Sequence, residues 1–269
     1  MKNRVLLNSL VLVAVAVLSL AGRAAAQDDD DAEAPPTPQA SAPIDLTGYW
    51  VSVITEDWRW RMVMPAKGDF ASVPITEEAK KVGDGWDPAR DEAAGEQCKA
   101  YGAAGLMRIP GRLHITWADE HTLKVETDAG MQTRMLHFGD WESPGGEPTW
   151  QGESRAEWIT PRRPGGSFGA GVGDAEGGGQ VPMNRGSLDV TTTRMRQGYL
   201  RKNGLPYSAE ATMKEHWDIF RQPDGVEWLV ITTIIEDPMY LSREWITSPN
   251  FRREPDGSKW DPTPCSAAW

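Results

Sequence analysis

The chain has 269 residues with 39 acidic against 28 basic side chains, a formal charge of −11. That excess of acid argues against nucleic acid or an anionic membrane as a partner, because both reward clustered Lys and Arg. Thirteen Trp against five Phe and five Tyr, with ten Met, point to an interior of large, adaptable apolar side chains.

Residues 1–26 carry the three parts of a secretory leader: Lys2 and Arg4, an apolar run over 5–20, and Ala24, Ala25 and Ala26 as small residues before cleavage. The run is shorter than the roughly 20 residues a membrane span needs. Export with cleavage after Ala26, into the periplasm or medium and with no stable membrane insertion, is the expectation. Loss of the leader would leave 25 basic residues against 39 acidic, and a charge of −14. Residues 27–44 follow, with four consecutive Asp and Pro35, Pro36 and Pro38. So little apolar surface predicts a disordered acidic tether. Residues 45–269 are read as one β domain, with a Gly-rich loop at 161–186.

That domain opens with Gly48-Tyr-Trp50 running into a first strand. Trp58, Trp60, Met62 and Met64 alternate with Arg59, Arg61 and Val63, and the period of two predicts a second strand. Thr76 can cap a helix over 77–82, and Asp87-Pro88 starts another that ends near Gly95. Three period-two segments then form a meander: 112–118, 122–128 and 131–138. A three-residue first turn and a two-residue second set the register. Ile115 faces Val125, which faces Arg134. His114 faces Glu126, which faces Thr133. One face is apolar, and the other carries Arg112, His114, Lys124, Glu126, Asp128 and His137. Solvated charge is the default for such a face, and a barrel lumen is the alternative.

A strand over 150–159 carries Trp150 and Trp158. Gly165-Gly-Ser-Phe-Gly169 matches a nucleophile-elbow pattern in form, but Pro164 before it and glycine after it make a surface loop the better reading. Further strands are expected at 187–195, 211–221, 227–236 and 241–247, the middle two joined by Gln222-Pro-Asp-Gly225. Between them, 199–208 reads as a turn-rich connector with an exposed basic tip. The fold class is all-β: a single antiparallel up-and-down barrel with one or two short helices, since closure leaves no exposed strand edge. Cys98 and Cys265, in an exported chain, are expected to pair and pin the C-terminal tail to the body.

Several of these motifs carry a resemblance. Gly48-Tyr-Trp50 resembles the lipocalin opening, where the Trp closes one barrel end with an Arg from a late strand stacked on it. Leu46–Trp50, Cys98–Gly105, Trp150-Gln-Gly-Glu-Ser-Arg-Ala-Glu-Trp158 and Glu236-Asp-Pro-Met-Tyr-Leu241 together resemble a group of exported bacterial β-rich proteins with no established activity. The resemblance implies a calycin-like barrel and no particular chemistry. The Gly-rich insert departs from that group's pattern.

The four His show no metal-ligand spacing, and no phosphate loop or complete nucleophile set is present, so neither metal nor cofactor is expected. His114 and Glu126 are the candidates for general acid–base work, were the polar face to line a lumen. Trp50, Trp60, Arg134, His137, Trp158, His216 and Trp217 are the candidates for a binding pocket. The expected function is binding of a small apolar or aromatic molecule in the lumen. The alternatives are a cofactor-independent lyase, isomerase or hydrolase using the His114/Glu126 pair, and an interaction module of the cell envelope.

Overall fold

The computed structural model describes residues 35–160 and 186–267. The leader, most of the acidic segment and the Gly-rich stretch with its Gly165–Gly169 pattern lie outside the described residues. The strands are β1 (Gly48–Val53), β2 (Arg112–Asp119), β3 (Thr122–Thr127), β4 (Ala129–Gly130), β5 (Thr133–Phe138), β6 (Glu153–Ile159), β7 (Ser187–Thr193), β8 (Gly198–Arg201), β9 (Leu205–Tyr207), β10 (Thr212–Arg221), β11 (Glu227–Glu236), β12 (Trp245–Thr247), β13 (Asn250–Glu254) and β14 (Thr263–Pro264). The helices are α1 (Trp58–Met62), α2 (Glu77–Asp84), α3 (Pro88–Ala93) and α4 (Ala103–Leu106), with a 3-10 turn at Lys99–Tyr101.

Nine strands close a barrel in the order β10-β7-β6-β5-β3-β2-β1-β13-β11, with β11 returning to β10. An odd ring cannot alternate direction all the way round, so one neighbouring pair must run parallel. That pair is β5 and β6, joined across residues 139–152. The strictly antiparallel barrel expected from the sequence is therefore corrected to a mixed one. The meander register agrees at each expected pair: Ile115 with Val125, Val125 with Arg134, His114 with Glu126 and Glu126 with Thr133. The expected last strand over 241–247 is shifted. It starts at Trp245, breaks at Pro249 and continues as β13, both parts pairing with β11. Proline cannot donate to the ladder, and the break sits there.

Alternate residues of every barrel strand point inward. Trp50, Ile115, Leu123, Val125, Leu136, Leu188, Trp217, Leu229 and Ile231 are sealed completely, with no surface beside them wide enough for water. One core cluster joins them to Leu113, Phe138, Val190 and Phe251. Within this apolar packing sits one ionic layer. Arg134 donates to both carboxylate oxygens of Glu215, at 3.0 and 2.6 Å, and to Thr192 Oγ1 at 3.2 Å. Neither side chain of the pair has exposed surface.

Each end is covered. At the end where β1 starts, Trp158 Nε1 donates to the Pro38 carbonyl at 2.8 Å, and the Gln39 amide to Glu120 at 3.1 Å. Ile44 and Leu46 enter the core. The chain packs with the body from Thr37, ahead of the expected domain start at residue 45. Trp50 Nε1 donates to the Leu46 carbonyl at 2.9 Å, and the Arg253 guanidinium lies 4.2 Å from the Trp50 ring. A late-strand Arg on the first-strand Trp is the arrangement the opening motif implied.

The opposite end is covered by residues 56–110 and 194–211. There Phe70, Ala103, Ala104, Leu200, Leu205 and Tyr207 pack on Met213 and Ile235 of the barrel. Thr76 and Asp87 cap α2 and α3 as expected. Cys98 and Cys265 are disulfide-bonded, and β14 pairs with β4 beside them, so the tail is fastened to the body. Gly130 is required in that strip: its φ is +83°, and a Cβ there would lie 2.1 Å from the Tyr101 ring.

Candidate functional site

The inward candidates are consumed by the fold. Trp50 and Trp217 are core, Arg134 is neutralised by Glu215, and Trp158 packs with Trp117 and Phe138 in the N-terminal seal. The polar candidates stand on the outer wall. His114 Nδ1 lies 3.3 Å from Glu126, but Lys124 reaches the same carboxylate oxygen at 3.0 Å, and all three are partly exposed. The imidazole is stacked on Tyr49 at 4.2 Å. The expected pair is thus a cross-strand pair on the outer wall, because β2 turns its apolar alternates inward. His137 stacks on Trp141 at 4.2 Å, and partial burial holds its pKa below the ordinary imidazole value. His216 lies outside between Asp189 and Asp218, all well exposed. Neither outward histidine can meet a ligand in the lumen. Among the described residues no group of three His, Cys, Asp or Glu is placed to hold a metal ion.

Trp60 is the exception among the candidates. It lines a narrow cleft of about 40 Å³ at the helix-covered end, together with Arg61, Val63, Met64, Pro65, Ala100, Gly105, Arg108, Ile109, Pro110, Leu200, Arg201 and Lys202. The expected strand over 58–64 is corrected here. Trp60 and Arg61 amides both donate to the Asp57 carbonyl, at 2.8 and 3.1 Å, and the chain turns as α1. Trp58 and Met62, one helical turn apart, are left facing solvent, while Arg61 goes inward with 7% of its surface exposed. The basic tip expected at 199–208 is corrected as well. It is the β8–β9 hairpin, folded down on the end of the barrel, with Arg201 buried and Lys202 partly so.

Four basic side chains therefore line this cleft, two of them paired with carboxylates. Arg108 gives Nη1 to Glu56 and Nη2 to Asp57, each at 2.8 Å. Arg201 gives Nη1 to the Ala71 carbonyl and Nη2 to Ser72 Oγ, each at 2.8 Å, with Asp57 at 3.6 Å. Lys202 Nζ donates to the Tyr101 hydroxyl at 2.9 Å. Arg61 Nε donates to the Arg108 main-chain carbonyl at 2.8 Å, but no protein group accepts from its Nη1 or Nη2. Burial, with Arg108 beside it, lowers the Arg61 pKa to about 10, and Glu56 and Asp57 offset this in part. Arg201 is lowered to about 10 for the same two reasons. Burial brings Lys202 to about 7.

The rings around the cleft are engaged by these cations. Arg201 lies 5.1 Å from Trp60 and 5.9 Å from Trp245, and Arg108 lies 4.9 Å from Trp245. Sequence reasoning found Trp60 but missed Arg61, Arg108, Arg201 and Lys202. The available signal was Arg interleaved with Trp at 58–61, in a chain otherwise dominated by acid. Compared with family models, with curated proteins and with solved structures, the chain matches none.

Proposed function

We propose that this chain is an exported small-molecule-binding barrel whose site is the cleft at its helix-covered end. The observation that carries the reading is the contrast between two spaces. The lumen is filled by the protein's own side chains, whereas the cleft is open and walled by Met64, Pro65, Ile109, Pro110 and Leu200. An apolar concavity with a few converging polar groups is the usual form of a ligand site. The expectation of a small apolar ligand is kept, and its place moves from lumen to cleft. The disulfide, and the fact that no described helix is long and apolar enough to cross a membrane, fit the exported setting.

The test is titration with a neutral apolar fluorophore, N-phenyl-1-naphthylamine, followed by energy transfer from Trp. Met64→Ala with Ile109→Ala removes apolar wall worth about 1 kcal/mol or more per side chain, so affinity should fall about tenfold or more. Unchanged affinity in the double variant would place the binding site elsewhere and overturn the reading.

A further inference from the structure

Three cleft-lining side chains keep buried N–H groups that no protein atom accepts, Trp60 Nε1, Arg201 Nε and both Nη of Arg61, and only Arg61 leaves two nitrogens of one charged group so. It is more than nine-tenths buried, and both Nη atoms lack a protein acceptor. No described carboxylate forms an ion pair with it; Glu56 and Asp57 are bonded to Arg108 and act on Arg61 only at longer range. A buried charge without a direct partner is among the costlier features a fold can keep. Stability rules are broken in this way chiefly at functional sites. Nε is tied to the Arg108 carbonyl, so the guanidinium plane is held and its paired Nη edge is left over. That edge matches the two oxygens of a carboxylate or phosphate. Arg201 lines the same cleft and adds to the positive potential there. The chain's first short helix and the residues after it supply the complement: Trp58, Met62 and Val63 are between 60% and 68% exposed, an apolar strip continuous in sequence with the cleft wall.

Resting on the cleft as the binding site, we propose that its ligand is an amphiphile with an oxyanion head, which takes the two Nη groups of Arg61 while its apolar body lies against Met64 and Ile109 toward Val63. Arg108 acts as a positioning residue, since it holds Arg61 through its carbonyl and absorbs the two local carboxylates.

The experiment is calorimetric titration of the full folded chain with decanoate, 1-decanol and decyl phosphate, below their micelle concentrations, on wild type and on Arg61→Met. In wild type, decanoate should bind at least about tenfold tighter than decanol, the scale of a charge-assisted bidentate pair. Decyl phosphate should share that advantage. In Arg61→Met the advantage of both anions should vanish while decanol affinity stays within about twofold. Equal binding of acid and alcohol to wild type overturns the inference and needs no variant, so a misfolded Arg61→Met cannot obscure it. An anion preference that survives in a folded Arg61→Met also overturns it. If decanol binds but charge makes no difference, only the oxyanion head fails. If no ten-carbon compound binds wild type, the cleft as a ligand site fails with it.

Discussion

Arg61 Nε donates to the main-chain carbonyl of Arg108 at 2.8 Å, and Arg108 spends both of its Nη groups on Glu56 and Asp57. The two arginines are neighbours with opposite standing: Arg108 has both Nη groups on carboxylates, whereas neither Nη of Arg61 has an acceptor. Substitution should separate them. Arg108→Met strands two partly exposed carboxylates and should cost about 2–3 kcal/mol, somewhat less than breaking a fully buried pair. Arg61→Met removes an unmatched buried charge and should leave stability unchanged or raise it by up to about 1 kcal/mol. Urea unfolding of both variants measures this, and the reverse ranking would show that Arg61 is structural.

The barrel's ionic layer makes a second prediction. Arg134 and Glu215 lie on β5 and β10, far apart in sequence, and neither side chain is exposed. Glu215→Gln should destabilise by roughly 3–5 kcal/mol, because it leaves the guanidinium charge buried without its partner. Arg134→Met combined with Glu215→Leu should recover most of that loss, since an apolar pair suits the surrounding core. A double variant no better than Glu215→Gln would mean that the Thr192 and Ser154 hydroxyls, left behind, dominate the cost.

How far the sequence could be read depended on the range of the interaction that decides each feature. The meander from Arg112 to Phe138 was legible because two tight turns set the register, and alternation then chose the inner face. The Gln222–Gly225 hairpin and the capped helices were legible for the same local reason. The parallel β5–β6 pair was not, because only closure of an odd ring demands it. At 58–62 the alternation of Trp and Arg imitates a strand, yet five residues are too few for period to decide against burial of Arg61. Arg201 and Lys202 sit in turn-rich sequence, where cations are ordinarily solvated. Their burial follows from a hairpin folding back on the barrel end, a tertiary event with no local mark. The cleft was therefore the least readable part of the molecule, and Trp60 was its only foreseen member.

The outer-wall pair His114 and Glu126 gives a third test. Both groups are partly exposed and Lys124 shares the carboxylate. Glu126→Gln should change stability by under about 1 kcal/mol and leave ligand affinity unaltered. The stack of His114 on Tyr49 should keep the imidazole in place, so its ring proton shifts should move little. A large loss of binding or of any turnover in Glu126→Gln would restore this face as a functional one.

Lys202 supplies the pH dependence. Burial lowers its folded-state pKa from 10.5 to about 7, with its ammonium held against the neighbouring Tyr101 hydroxyl at 2.9 Å. Between those two values the unfolded chain binds more protons at this site than the folded one does. Stability contributed by the site therefore rises with pH across that window and is flat below about 7, where both states are protonated. Other groups titrate in the same range, so the quantity to measure is the difference in unfolding free energy between wild type and Lys202→Met. That difference should shift in favour of wild type as pH climbs from 7 toward 10. Binding of an anion should respond the other way. As Lys202 loses its charge the cleft becomes less positive, and the affinity for decanoate should fall as pH rises through about 7, with decanol unaffected. In Lys202→Met the decanoate affinity should be flat over the same range. A stability difference that does not change between pH 7 and 10 would show that Lys202 keeps an ordinary pKa and that the cleft end is wetter than its packing implies.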